Sequence, residues 1–116
     1  MFIAYTVVAI VLGLGLAGSA SGKLRKDERI VTGLTGVGVP LSWFVPLALL
    51  ELAGAAGLLI GIGWRPLGIA AAIGVILYFV GALIFHVRAK DFKGMVAPAV
   101  LLLVGVLALI LGIASA

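Results

Sequence analysis

A chain of 116 residues that is 65% hydrophobic and 10% charged, with a mean hydropathy of +1.42, lies outside the composition of soluble globular domains and belongs in lipid. The net charge of +4 does not point to nucleic acid, because the basic residues cluster at the ends of apolar runs instead of spreading over a polar face. With no cysteine, disulfides, thiolate metal sites and thiol redox chemistry are excluded.

A helix needs about 20 apolar residues to cross a hydrocarbon core of about 30 Å, so the length allows four spans in a single domain, residues 1–116. The first apolar run, residues 2–20, is preceded by no basic residue and followed by four. This reverses the charge pattern of a cleavable secretory signal and predicts a retained helix, with Gly13, Gly15, Ala17 and Gly18 suited to close packing. Residues 21–39 hold Lys23, Arg25, Lys26, Asp27, Glu28 and Arg29, then a glycine-punctuated tail ending at Pro40. The glycines and the proline argue against a continuous helix and predict a short amphipathic turn at the interface.

The second span covers about residues 41–62, with Ser42 available as a cap and Pro46 early enough that its missing N–H costs little. Trp43, Phe44 and Trp64 flank it as interfacial aromatics. Residues 63–66 turn the chain back into a third span, about 67–87, which ends in a polar cluster of His86, Arg88, Lys90, Asp91 and Lys93. Pro98 opens the uncharged fourth span, about 95–113. The expected fold is an all-α integral membrane four-helix bundle made of two antiparallel hairpins.

Seven of the eight Lys and Arg fall in the loops at 21–40 and 88–94, with Arg65 alone on the other side. The positive-inside rule predicts cytoplasmic loops there, both termini outside, and a multi-pass protein of the cell membrane. A faint repeat accompanies this pattern. Each half reads span, basic loop with a Lys-Asp step (Lys26-Asp27, Lys90-Asp91), then a proline opening the next span.

Glu51 is the one acid inside an apolar run, about ten residues from each end of its span, where an ionised carboxylate is disfavoured by several kcal/mol. It must be neutral or partnered. Its helix-wheel neighbours include Gly54 and Ala55, and Gly57 follows on the same helix, so this side predicts helix packing. The short link between spans two and three makes them an antiparallel hairpin that puts Tyr78 at the depth of Glu51, on a stripe with Gly74 and Gly81. A Glu51 to Tyr78 hydrogen bond, direct or through water, is the expectation.

Two readings of the acid follow. One is interhelical glue. The other is a proton-carrying or ligand-orienting group in a pocket for a quinone or lipid. One acid without a second mid-span ionisable group makes no relay, which tips the balance toward glue. His86 has no second His, Cys or acid at ligand spacing, so no metal or haem site is expected, and its place is interfacial. Arg65 lies too far along the helix to reach Glu51 and is expected at the headgroups. No catalytic residue, metal or cofactor is assigned.

The segments KLRKDERIVTGLTGVGVP, LELAGAAGLLIGIGWRPLGIAAAIG and GALIFHVRAKDFKGMVAPAVLLL resemble the DoxX-like family of small four-helix membrane proteins over roughly residues 20–110. The resemblance would carry the family pattern onto Glu51, Gly54, Gly57, His86, Arg88 and Pro98. It implies a link to quinone-linked or oxidative-stress membrane assemblies. Thiol-based roles do not carry over to a chain without cysteine.

The function expected is a non-catalytic subunit or scaffold of a membrane assembly, such as an accessory subunit of a quinone-linked oxidoreductase, with an apolar-ligand pocket near Glu51. The alternative is a small proton-coupled carrier acting as an oligomer. Glu51, Tyr78 and His86 are the ligand-binding or proton-carrying candidates, and Gly54, Gly57, Gly74 and Gly81 the packing positions. The partners expected are the lipid bilayer, a membrane or redox protein, and a second copy of the chain, with no nucleic acid.

Overall fold

A computed structural model of the chain describes residues 2–115. It contains α1 (Phe2–Leu24), α2 (Glu28–Gly36), α3 (Phe44–Ile60, preceded by one 3-10 turn, Leu41–Trp43), α4 (Arg65–Arg88) and α5 (Val96–Ala114). Four stretches, α1, Leu41–Ile60, α4 and α5, are long and apolar enough to cross a membrane. They pack as a closed ring in which α1 lies between α3 and α5, and α4 joins α3 to α5 on the other side. The long dimension of 40 Å matches a bilayer of about 40–45 Å including headgroups. Ile3, Leu14, Leu77 and Leu103 point outward, as the backbone-satisfied helix allows where the solvent is acyl chain.

The core is a set of helical stripes. Tyr5, Ala9, Leu12 and Leu16 of α1 recur every three or four residues and meet Ala55 and Leu58 of α3, Ala72, Val75 and Phe79 of α4, and Ala108 of α5. The buried Tyr5 hydroxyl donates to the Leu58 carbonyl at 3.1 Å, which removes an otherwise unpaired polar group from the core. Along the α3–α4 hairpin Gly61 meets Gly68, a Cβ on Gly57 would sit 2.7 Å from Ala71 Cβ, and one on Gly54 3.1 Å from Val75. These contacts fall at the depths a short link between antiparallel spans requires.

Two elements differ from the sequence expectation. Helix α1 runs one turn past residue 20, because Ala20 and Lys23 continue its buried stripe. Residues 28–36, expected as a turn, form the helix α2 despite Gly33 and Gly36. The cause is tertiary. Asp27 caps the helix by accepting from the Arg29 N–H at 3.0 Å, and Ile30, Val31 and Leu34 pack on Val37, Val39 and Phe44. Both terms outweigh the glycine penalty of about 1 kcal/mol each. Replacing Asp27 with alanine should destabilise α2 by about 1 kcal/mol, read as faster amide exchange over residues 29–31; unchanged protection would remove the cap from the argument.

The Lys-Asp repeat has a structural counterpart. Lys26 and Lys90 are both left-handed, at φ 52° and 57°. The N–H of Lys26 bonds Lys23 O and that of Asp27 bonds Gly22 O, while Lys90 bonds Val87 O and Asp91 bonds His86 O. Helices α1 and α4 thus end in the same Schellman turn. Each following aspartate then accepts from a backbone N–H, Arg29 in one half and Gly94 in the other.

Candidate functional site

Glu51 is held about 10 Å into α3, on the stripe Phe44, Ala48, Glu51, Ala55, Leu58 that α3 turns into the bundle. Its side chain has no exposed surface. The partner is Lys23 of α1, whose ammonium donates to Oε1 at 2.6 Å and to Ser19 Oγ at 2.8 Å. Lys23 stands in the last turn of α1, and its long side chain reaches back toward the helix N-terminus, as Cβ vectors on a helix dictate. A cation from the end of one helix therefore meets an anion from the middle of another, and the pair is electrically neutral where neither charge alone would be tolerated.

Lys23 is a partner that the sequence reading did not offer. The hairpin brings Tyr78 beside the acid, as expected. Oε1 takes Lys23, and the Tyr78 hydroxyl lies beside the carboxylate without a hydrogen bond of full geometry. Tyr78 also stands between two cavities. The larger, about 610 Å³, is lined by Ser19 and Lys23 of α1, Arg29 of α2, Phe85 and His86 of α4 and Pro98 of α5 among others. The smaller, about 460 Å³, is lined by Glu51, Leu16, Gly54 and Val75 among others. Tyr78, with Leu77 and Phe79, lines both, and the Lys23–Glu51 bond runs from one cavity to the other.

The remaining candidates fall around these spaces. His86 is buried at the basic-loop end of the larger cavity. Its Nδ1 donates to the Ala82 carbonyl at 2.7 Å, because a carbonyl only accepts, and its Nε2 faces Asp91 Oδ2 at 3.9 Å. It touches the cavity but not Glu51. Gly54 and Gly57 meet α4 as described, whereas Gly74 and Gly81 depart from the packing role expected of them. A Cβ at either meets nothing within 4 Å, and they open onto the smaller and larger cavity respectively. Among the described residues no three metal-ligating side chains converge.

Arg65 stays away from Glu51 and folds over the bundle end, donating to the Gly61 carbonyl and stacking on the Tyr5 ring at 4.2 Å. The signal that would have found Lys23 is its spacing: it follows Leu16 by seven residues, on the same face as Tyr5 and Leu12 once α1 is continued one turn.

Compared with known families, a model described as the DoxX-like family matches residues 7–108. That span takes in Lys23, Glu51, Tyr78 and His86. No curated protein and no solved structure matches the chain.

Proposed function

The chain belongs to the DoxX-like family, and from that premise we propose that it is a non-catalytic subunit or scaffold of a redox-linked membrane assembly whose bundle holds an apolar molecule, a quinone or lipid, against Tyr78 and the Lys23–Glu51 pair. The observation that carries this reading is the larger cavity. Its volume of about 610 Å³ is within the range of about 300–1,000 Å³ typical of small-molecule sites. Its walls are mainly apolar, with Leu47, Phe79, Phe85 and Leu101 among them, and a few polar groups converge at Ser19, Lys23, Tyr78 and His86. Lys23 and Glu51 are spent on one another, so neither is poised as a free base or nucleophile.

The basic end, with α2 and the 88–94 loop, is the proposed cytoplasmic side of the cell membrane, with both termini outside. A second reading, a small proton-coupled carrier working as an oligomer, draws on the bond between Lys23 and Glu51 spanning two cavities.

Extraction in a mild lipid-preserving detergent followed by mass spectrometry of the retained small molecules tests the pocket. A quinone or lipid should remain at about one per chain and be retained in smaller amount in Ala82→Phe, which puts a phenyl ring into the larger cavity. A folded bundle that carries nothing specific would end the pocket reading. A redox protein recovered with the chain would support the subunit role.

A further inference from the structure

Lys23 has an anion on one side and an apolar cavity on the other. Of its three ammonium protons, two are engaged, by Ser19 Oγ and Glu51 Oε1. The ammonium belongs to the wall of the larger cavity, while Glu51 belongs to the smaller. Ser19 and Tyr78 line the same cavity as Lys23 and bring hydroxyls of the kind an anionic head accepts from. Glu51 presents a second oxygen, Oε2, that is buried and has no hydrogen-bond partner among the described residues.

We propose that the larger cavity takes an apolar molecule bearing a single anionic head that pairs with Lys23, and that each molecule bound brings one proton onto Glu51. The inference rests on the apolar-pocket reading above and names the charge class of its occupant. The argument is electroneutrality. Lys23 and Glu51 sum to zero, so a second anion beside Lys23 leaves a net negative charge in the bundle interior, which lipid disfavours strongly. A proton taken from bulk water converts the Glu51 carboxylate to the acid and restores the zero sum, with Lys23 now paired to the ligand head.

The titratable groups beside Glu51 are Lys23 from α1 and Tyr78 from α4, while α5 carries no titratable side chain. Arg29, His86 and Asp91 also line the larger cavity but make no hydrogen bond or ion pair with Lys23 or Glu51. Glu51 is thus the acceptor in direct contact with the cation that the ligand claims.

The probe is hexadecanesulfonate, whose head stays ionised, with hexadecanol as the neutral counterpart, both titrated into the full chain in zwitterionic nanodiscs. The sulfonate Kd should rise about tenfold per pH unit over the range where Glu51 is ionised in the free protein, with about one proton taken up per ligand, while hexadecanol shows no slope. Glu51→Gln should flatten the sulfonate slope, and His86→Gln should leave it. A flat slope in the unaltered protein, the signature of an anion held at Arg29 on the cavity rim, would overturn the proposal without any variant, as would a slope that disappears with His86. If hexadecanol binds and the sulfonate does not, only this inference fails; if neither binds, the pocket reading fails with it. Nanodiscs containing phosphatidylglycerol separate the sources: competition with the sulfonate identifies a bilayer lipid as the occupant and supports the charge class, and a lack of competition supports a free amphiphile.

Discussion

Replacing Lys23 with methionine will destabilise the bundle by about 3–5 kcal/mol, the loss expected when one partner of a buried ion pair is removed. Glu51→Leu will destabilise it by less. The asymmetry comes from position. The Glu51 side chain is fully buried in the middle of α3 and has no route to the interface. Lys23 stands in the last turn of α1, and a lysine freed there can turn its ammonium toward headgroups. The double variant Lys23→Met, Glu51→Leu will recover most of the loss, because well-packed apolar side chains can replace a buried pair at little net change. Reversible unfolding in lipid–detergent micelles measures all three. Two single losses that simply add in the double variant would mean that the 2.6 Å contact contributes no coupling.

The same pair marks the limit of what could be read before the structure. Glu51 was legible because a lone acid in an apolar run has to be explained, and the short link after α3 placed it against α4. Lys23 was not, because it stands among Arg25, Lys26 and Arg29, where a basic residue already has an account as a topology signal. Only its distance along the α1 stripe separates it from its neighbours, and that stripe becomes visible once Tyr5, Leu12 and Leu16 are known to face the core. Helix α2 was hidden for a different reason. Local propensity at Gly33 and Gly36 argues against it, and the apolar seat under Ile30 and Leu34 that reverses the balance comes from Phe44 and residues still further along the chain. The four spans themselves needed no tertiary information, since their length and hydropathy suffice.

Gly61→Ala will destabilise the bundle by about 1–3 kcal/mol, while Gly74→Ala will be neutral or stabilise it by up to about 1 kcal/mol. Both residues are helix-associated glycines in an apolar hairpin, and composition gives no reason to separate them. Their surroundings do. A Cβ on Gly61 would run into the backbone of Gly68, with Gly68 N at 2.7 Å and the Tyr5 hydroxyl also at 2.7 Å. A backbone cannot step aside as a flexible side chain can, so α3 and α4 must separate or Tyr5 must give up its bond to the Leu58 carbonyl. At Gly74 the added methyl meets nothing within 4 Å, enters the wall of the smaller cavity, and gains only the lower backbone entropy of alanine in the unfolded chain. Unfolding midpoints that move together for the two variants would show that the hairpin is not held by this close crossing. Divergent midpoints, with Gly61→Ala also weakening protection of the Leu58 region of α3, would place the tightest contact of the bundle at its Arg65 end, opposite the cavity that Lys23 lines.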